Sequence, residues 1–212
     1  MKISTKLIYD QLFERYPALE CCKDSILKTF DILKETYLSG GKVLVCGNGG
    51  SASDSEHIVG ELMKCFKKPR KACKKMLDNL PPCEESEKLK EVLEGSLPAI
   101  SLTSHLALTT AYSNDREPSA VFAQQLSGLG NKGDTFIAIS TSGNSLNCVY
   151  ACLVAKAKGL RTVALTGEKE SKLSFLSEVC VKVPAKETYL IQEYHLPIYH
   201  ALCAMLEEEF FD

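Results

Sequence analysis

Five short apolar runs alternate with longer amphipathic segments along the chain. The runs are Val43 to Cys46, Ala99 to Leu102, Thr135 to Ile139, Thr162 to Leu165 and Val179 to Val183. Each has the length of a strand and little polar alternation, which is typical of parallel strands buried on both faces. The segments between them are long enough to be crossover helices. The pattern predicts a fold of the α/β class, a three-layer α/β/α sandwich around a five-stranded parallel sheet.

Helical periodicity extends beyond the sheet-forming region at both ends. Ser4 to Leu38 predicts an N-terminal helix pair that the glycines after Ser39 terminate. Its apolar face can pack on its own domain or against another subunit, and the sequence leaves both open. Glu187 to Phe211 predicts one long helix with a kink at Pro197.

The segment 66–96 differs in composition from the rest and interrupts the alternation of strands and helices. We interpret it as an inserted helical flap within a single domain, 1–212, whose N-terminal helices occupy 1–39. Six basic residues lie between Lys67 and Lys75, and an acidic run follows them. Because the acidic run neutralises the basic one, we interpret the basic residues as a solvated helix face and assign them no function.

Composition narrows the function classes. The 212 residues are 45% hydrophobic and 25% charged with a formal net charge of −2, which fits one globular domain and gives no general attraction to nucleic acid or anionic membranes. No apolar run approaches a membrane span, and the first residues lack a signal-peptide core. We expect a cytoplasmic protein without nucleic-acid or membrane partners. The ten cysteines are scattered, so we expect reduced thiols.

Two loops follow predicted strands and lead into helices. They are Gly47 to Ser51 and Ser140 to Ser145, and the second carries four hydroxyls in six residues. A helix N-terminus presents unpaired N–H groups to an anion, so either loop can bind phosphate without lysine or arginine. Serines that merely cap helices are the alternative for a single loop. Two such loops at successive strand ends favour a phosphate-bearing ligand.

The first loop also matches the dinucleotide fingerprint G-x-G-x-x-A, from Gly47 to Ala52. That fingerprint requires an acidic residue at the end of the second strand to hold a ribose. Here the second predicted strand is followed by Thr103 and Ser104. The mismatch argues against a nicotinamide or flavin cofactor.

Four side chains could hold a divalent ion. His57 and Glu61 lie four residues apart, on one face of the helix that follows the first loop, Gly47 to Ser51. Gln192 and His200 lie eight residues apart on the last helix. Two imidazoles, a carboxylate and an amide oxygen suit zinc. A surface His–Glu pair is the alternative for the first two. We interpret His105 and His195 as structural.

The stretches CGNGGSASDSEH, STSGNSLN, LTG and IQEYHLPIYH together resemble the sugar isomerase (SIS) domain, and within it the phosphoheptose isomerases. The resemblance runs from about Leu38 to Glu208 and is broken by the insert. It implies a five-stranded parallel sheet of flavodoxin-like order, a role in carbohydrate metabolism, and a homotetramer whose sites use residues of neighbouring subunits.

The resemblance also implies roles for individual residues. Zinc ligands of the family match His57, Glu61, Gln192 and His200. Its phosphate contacts match Ser140, Thr141, Ser142 and Ser145. Its sugar contacts match Asn48, Gly49, Gly50, Asn114 and Asp115, and Ser51 and Gln192 complete the expected substrate site.

Chemistry assigns the proton-transfer roles in such a site. Interconversion of an aldose and a ketose moves a proton between adjacent carbons through an enediolate, so it needs a base and a second group that handles the hydroxyl protons. We expect Glu61 to be the base and His200 the acid, in a phosphosugar aldose–ketose isomerase.

Two departures from the isomerase pattern leave the particular sugar phosphate open. Cys65 stands where an arginine usually follows the glutamate, and Tyr189-Leu190-Ile191 stands where D-R-I usually precedes Gln192. A second hypothesis is a non-catalytic member that binds a sugar phosphate as a regulator, or a protein partner in replication initiation. The relative in replication initiation lacks the final-helix histidine, so His200 favours the enzyme.

Overall fold

The computed structural model describes residues 1–211, and its centre is a five-stranded, all-parallel sheet of order β2-β1-β3-β4-β5. The strands are β1 Val43–Gly47, β2 Ala99–Ser101, β3 Thr135–Ile139, β4 Arg161–Thr166 and β5 Val179–Lys182. They confirm the five predicted strands to within one residue at each end. The parallel α/β class is thereby confirmed.

Ten α-helices surround the sheet within the described part of the chain. They are α1 Ile3–Arg15, α2 Lys23–Leu38, α3 Gly50–Met63, α4 Lys74–Asp78, α5 Glu84–Val92, α6 Leu106–Asp115, α7 Val121–Leu129, α8 Leu146–Ala157, α9 Lys172–Leu176 and α10 Thr188–Phe210. Short 3-10 turns precede α2 and α7. Pro197 lies inside α10, which continues through it.

Successive side chains of each strand point to opposite faces of the sheet and pack into two apolar cores, one on each face. On one face, Val43, Ile137 and Val163 pack with α1, α2, α3 and α10; on the other, Leu44 and Phe136 pack with α7, α8 and α9. The predicted N-terminal helix pair therefore packs on its own sheet. Full burial of a leucine or phenylalanine stabilises a fold by about 1.5–3 kcal/mol, so apolar burial stabilises the packing of helices on both faces of the sheet.

The strand order reverses between β1 and β3, which is where open parallel sheets bind ligands. Gly47 pairs with Ile139, so the two strands end level. The glycine loop, Gly47 to Ser51, and the phosphate loop, Ser140 to Ser145, therefore emerge side by side. This arrangement places both predicted anion-binding loops at the same crevice.

The insert is less helical than predicted. Only α4 and α5 are helical within 66–96, and an isolated antiparallel bridge pairs Lys71 with Glu94. All ten cysteines are free thiols, and five of them are buried. None of the helices within residues 1–211 combines the length and apolar character that a membrane crossing requires.

Candidate active site

A reciprocal amide pair joins the glycine loop to the first turn of α8, directly after the phosphate loop. Asn48 Nδ2 donates to Asn147 Oδ1 at 2.9 Å, and Asn147 Nδ2 donates to Asn48 Oδ1 at 2.8 Å. Asn48 was predicted as a sugar contact, whereas Asn147 was not predicted. Nothing in the sequence pairs these two residues, because their contact depends on β1 and β3 being neighbours.

Hydroxyls line the phosphate loop as predicted. Ser140 Oγ donates to Ser145 Oγ at 3.0 Å, and Ser142 Oγ accepts the Asn144 N–H at 3.2 Å. Gly143 has φ +65°, and a Cβ there would collide with Ser171 Oγ. Glycine is therefore required at this turn. Since α8 begins at Leu146, its N-terminal N–H groups and partial positive charge face the loop.

A cavity of about 310 Å³ adjoins the phosphate loop. Thr141, Ser142 and Asn144 line it, together with two lysines and two glutamates, Lys169, Lys186, Glu168 and Glu170. Lys186 Nζ is 3.5 Å from Glu168 Oε1. The two carboxylates balance the two ammonium groups, so the cavity gives the loop no net positive charge.

On α3, His57 and Glu61 lie on one face, as their spacing predicted. His57 Nε2 is 3.2 Å from Glu61 Oε1. The His200 ring of α10 lies edge-on to the His57 ring, with centroids 4.9 Å apart. Two distant segments of chain thus bring the imidazoles and the carboxylate together, which the sequence argument required.

The surroundings of His200 favour the neutral form of its imidazole. Burial lowers the pKa of His200, as does the neighbouring His57, while Glu61 opposes them. The Phe66 ring lies 5.5 Å from the His200 ring, centroid to centroid. His200 Nε2 is buried and has no hydrogen-bond partner among the described residues. A buried nitrogen without a partner is costly unless a ligand satisfies it.

Gln192 reaches the glycine loop. A Cβ built on Gly50 would lie 2.5 Å from Gln192 Nε2, so the absence of a side chain at this position makes room for the amide. This contact places the last-helix glutamine at the start of α3. His57 and Glu61 follow on the same helix.

A second layer behind the histidines was not predicted. The Tyr199 hydroxyl lies 3.0 Å from His57 Nδ1 and 3.2 Å from Asp54 Oδ1. Burial raises the pKa of Tyr199, and the Asp54 carboxylate raises it further. The sequence signal was slight: Tyr199 adjoins His200, and Asp54 precedes His57 by one helical turn.

A buried ion pair fixes the end of α3 and corrects the interpretation of the basic run. Arg70 is buried, so it is not part of a solvated face. Its Nε donates to Glu207 Oε1, and its two terminal nitrogens donate to the carbonyl oxygens of Leu62 and Glu61, each at 2.7 Å. Glu207 also accepts the N–H groups of Phe66 and Lys67. The pair therefore connects the Glu61 backbone to α10.

The four predicted metal ligands fit zinc in their donor chemistry. Ligands on a tetrahedral zinc with bonds of about 2.0–2.2 Å are separated by about 3.3 Å. The 3.2 Å between His57 Nε2 and Glu61 Oε1 matches that separation. His200 Nε2 has no hydrogen-bond partner among the described residues that a metal would have to displace. No group of three or more His, Cys, Asp or Glu side chains in residues 1–211 is preassembled to hold a metal.

Some predicted contacts are not assembled within one chain. Asn114 Nδ2 donates to Asp115 Oδ1 at 2.9 Å at the end of α6. No hydrogen bond within residues 1–211 joins either side chain to the two loops. His105 and His195 lie elsewhere: His105 Nδ1 contacts Gln125 Oε1 at 2.6 Å, and His195 is completely buried in α10.

The sequence matches the model of the SIS domain over residues 11–91 and 89–167. The chain belongs to the SIS domain family. It is 40% identical to the phosphoheptose isomerase of Aneurinibacillus thermoaerophilus over 177 residues, which are 84% of this chain and 77% of the relative.

Solved structures of SIS domain proteins agree. The phosphoheptose isomerase from Francisella tularensis is 28% identical with a TM-score of 0.76, over 98% of this chain and all of that one. Phosphoheptose isomerase GmhA from Neisseria gonorrhoeae is 27% identical with a TM-score of 0.71, over 97% and 92%. The resemblance seen in the sequence motifs is thereby confirmed.

Proposed function

We propose that the chain is a phosphosugar isomerase that interconverts an aldose and a ketose, as the names of its relatives indicate for them. One observation carries the catalytic assignment. The Glu61 carboxylate and the His200 imidazole both contact the His57 ring, from helices that are far apart in the chain. They lie in the same domain as two loops built to receive a phosphate.

The two loops would hold the substrate by its phosphate and its sugar chain. Hydroxyls and N–H groups of the phosphate loop donate to the phosphate, and Ser140, Thr141, Ser142 and Ser145 are the proposed contacts. Asn48, Gly49, Gly50, Ser51 and Gln192 contact the sugar chain. Binding energy from this far end of the substrate then positions the carbons that react.

Proton transfer falls to Glu61 and His200. Glu61 removes the proton from the carbon beside the carbonyl and returns it to the neighbouring carbon through an enediolate. His200 moves the hydroxyl protons as a neutral imidazole, which the lowered pKa favours.

The two oxygens of Glu61 face different partners. Oε1 faces His57 Nε2, while Oε2 is 3.5 Å from Lys64 Nζ at the surface end. We assign Oε1 to the ligand set and Oε2 to proton abstraction, so one carboxylate serves both roles. His57, Glu61, Gln192 and His200 are the proposed ligands of one zinc ion, which would supply Lewis acidity at the sugar carbonyl.

Self-association as a homotetramer completes the proposal. No residue of α6 is buried, and the side chain of its first residue, Leu106, is 75% exposed. On α1, Ile3 is 84% exposed. Burial of such apolar faces by neighbouring copies would stabilise an oligomer and bring Asn114 and Asp115 to a neighbour's sugar site. Sedimentation velocity tests this: four copies are expected, and a stable monomer contradicts it.

Deuterium exchange tests the isomerase. The purified chain with zinc is incubated in D₂O with five- to seven-carbon sugar phosphates, including sedoheptulose 7-phosphate, and solvent deuterium at the carbon beside the carbonyl is measured. We expect exchange with at least one substrate and its loss in Glu61→Gln. The matched control is Glu35→Gln, because Glu35 is exposed on α2 and pairs with Arg161.

The binding of the same sugar phosphates separates the enzyme from a regulator. Calorimetric titration is run with each compound and with inorganic phosphate. Tight binding without exchange for any compound would replace the enzyme by a phosphosugar-binding regulator. Neither binding nor exchange would contradict both functions.

A further inference from the structure

The middle of α10 contacts α3 through a buried tyrosine that lies between two polar residues. Asp54 and His57 lie one turn apart on α3, and Tyr199 of α10 reaches between them. Its hydroxyl is 3.2 Å from Asp54 Oδ1 and 3.0 Å from His57 Nδ1. Tyr199 is 2% exposed, so water does not compete for these bonds.

The direction of the two hydrogen bonds follows from the proton inventory. An ionised carboxylate accepts only, so the single proton of the Tyr199 hydroxyl is donated to Asp54. The hydroxyl oxygen is then left as an acceptor toward His57. His57 must donate through Nδ1, and its Nε2 carries the lone pair.

We propose that Asp54 and Tyr199 are positioning residues that hold His57 in the Nδ1-protonated tautomer and direct its Nε2 lone pair to the point that Glu61 Oε1 also faces. The proposal rests on the proposed function, since it assigns support to one of the proposed ligands. It names two residues that neither the motifs nor the comparisons assign.

The consequence is a built site for a cation. Two acceptors 3.2 Å apart repel each other unless a positive charge lies between them. Hydrogen bonds to the distal nitrogen of a ligating histidine fix its tautomer and orientation, and their loss weakens metal binding about 10–100-fold. The Tyr199 ring also packs edge-on against both His57 and His200, at centroid distances of 5.5 and 5.0 Å.

The two hydrogen bonds that run from His57 through Tyr199 to Asp54 form a relay. Removal of the Tyr199 hydroxyl oxygen tests it. Tyr199→Phe keeps the ring and its packing while it deletes the hydroxyl. Tyr37→Phe is the matched control, because the Tyr37 hydroxyl is also buried but has no hydrogen-bond partner among the described residues. Asp54→Asn is a second variant, whose amide can donate to Tyr199 and so reverse the direction of the relay.

The first measurement uses the metal-free protein. In ¹⁵N-histidine-labelled protein at pH 8.5, above the ordinary titration range of histidine, the His57 nitrogens report its tautomer, with the signals assigned by His57→Asn. We expect Nδ1 of His57 to be protonated in the original chain and in Tyr37→Phe, whether or not Nε2, which faces Glu61 Oε1, also carries a proton in the absence of the metal. Tyr199→Phe and Asp54→Asn are expected to shift the population toward Nε2–H.

The second measurement is zinc affinity, by competition with a chromophoric chelator. We expect a loss of about 10–100-fold in Tyr199→Phe and less than about twofold in Tyr37→Phe. An Nε2–H tautomer in the original chain, or equal tautomers and affinities in the two phenylalanine variants, overturns the proposal. These readouts do not involve the sugar, so the relay can stand even if the deuterium-exchange assay refutes the isomerase.

Discussion

Asn48 and Asn147 bind each other through both of their side-chain amides, and this pair connects the glycine loop to the helix that directly follows the phosphate loop. Asn147 lies in the first turn of α8. Asn48 directly follows Gly47, the last residue of β1. The spacing of the two loops, and hence the shape of the crevice between β1 and β3, depends on these two bonds.

Asn147→Ala should therefore weaken phosphosugar binding more than catalysis. Loss of two neutral hydrogen bonds corresponds to about 1–3 kcal/mol, so we expect a rise of about tenfold in KM with kcat changed by less than threefold. Steady-state kinetics of the exchange reaction measures both. Asn79→Ala in the insert is the control and should leave KM unaltered. A fall in kcat at constant KM would contradict this role for the pair.

Arg70→Met should destabilise the protein strongly. It leaves Glu207 buried without its cation and removes one donor from each of two carbonyl oxygens, which costs about 3–5 kcal/mol. Burial would raise the pKa of Glu207, but the N–H groups of Phe66 and Lys67 and the Arg70 guanidinium outweigh burial and lower it. Urea unfolding measures the loss.

The matched control for this ion pair is Arg161→Met. Arg161 is a surface residue that bonds Glu178 and Glu35, and such exposed pairs contribute no more than about 1 kcal/mol. Equal losses of stability in the two variants would show that burial of Arg70 does not matter. Arg70→Lys should recover part of the stability, because an ammonium can pair with Glu207 but cannot reach both carbonyl oxygens.

Stability should fall between pH 7 and pH 5. Burial lowers the pKa of His195 from its ordinary value of 6.5 to about 4. In this window the unfolded chain binds a proton that the folded chain does not, so the free energy of unfolding decreases by about 2 kcal/mol as pH falls. Urea titrations at the two pH values measure the decrease.

His195→Gln should remove most of that pH dependence, and His200, whose pKa is also lowered, accounts for a remaining part. Carboxylates contribute at lower pH. Glu209 is the clearest case: burial would raise its pKa, but the bonds from Lys34, the Lys2 N–H and Thr5 together outweigh burial and lower the pKa to about 2. An undiminished slope in His195→Gln would contradict the assignment to this histidine.

Gly50→Ala should displace Gln192. The added Cβ would lie 2.5 Å from the amide nitrogen, which is the far end of a flexible side chain, so we expect little loss of stability. Zinc affinity should fall about tenfold, on the scale at which disturbed ligand support acts. Chelator competition and thermal unfolding measure the two effects.

Gly60→Ala is the control on the same helix. A Cβ there meets nothing within 4 Å, so we expect about 0.5–1 kcal/mol of added stability and unchanged zinc affinity. Unchanged zinc affinity in Gly50→Ala would remove Gln192 from the proposed ligand set.

The sequence predicted the sheet well because buried parallel strands leave a local signature. Thr135–Ile139 was located to the residue, since all five of its positions are buried. β5, at the edge of the sheet, is only partly buried and was predicted one residue too long. His57 and Glu61 were also accessible to sequence reasoning, because helical spacing alone puts them on one face.

Contacts between distant segments left no comparable signature. Arg70 stands among lysines in the sequence, and only its position beside Glu207 distinguishes it from a surface cation. Tyr199 has the periodicity of an ordinary core residue of α10. Its hydroxyl acquires a role because Asp54 and His57 happen to face it, and such pairings require the packing of two helices to be known.

The bridge between Lys71 and Glu94 has an architectural consequence. The two ends of the inserted segment meet there, so the polypeptide leaves the domain and returns at nearly the same place. Replacement of the residues between them by a tight turn would leave the surrounding framework unstrained. The stretch between these two partners, which contains α4 and α5, can thus change in length without moving Arg70, Phe66 or the helices that they contact.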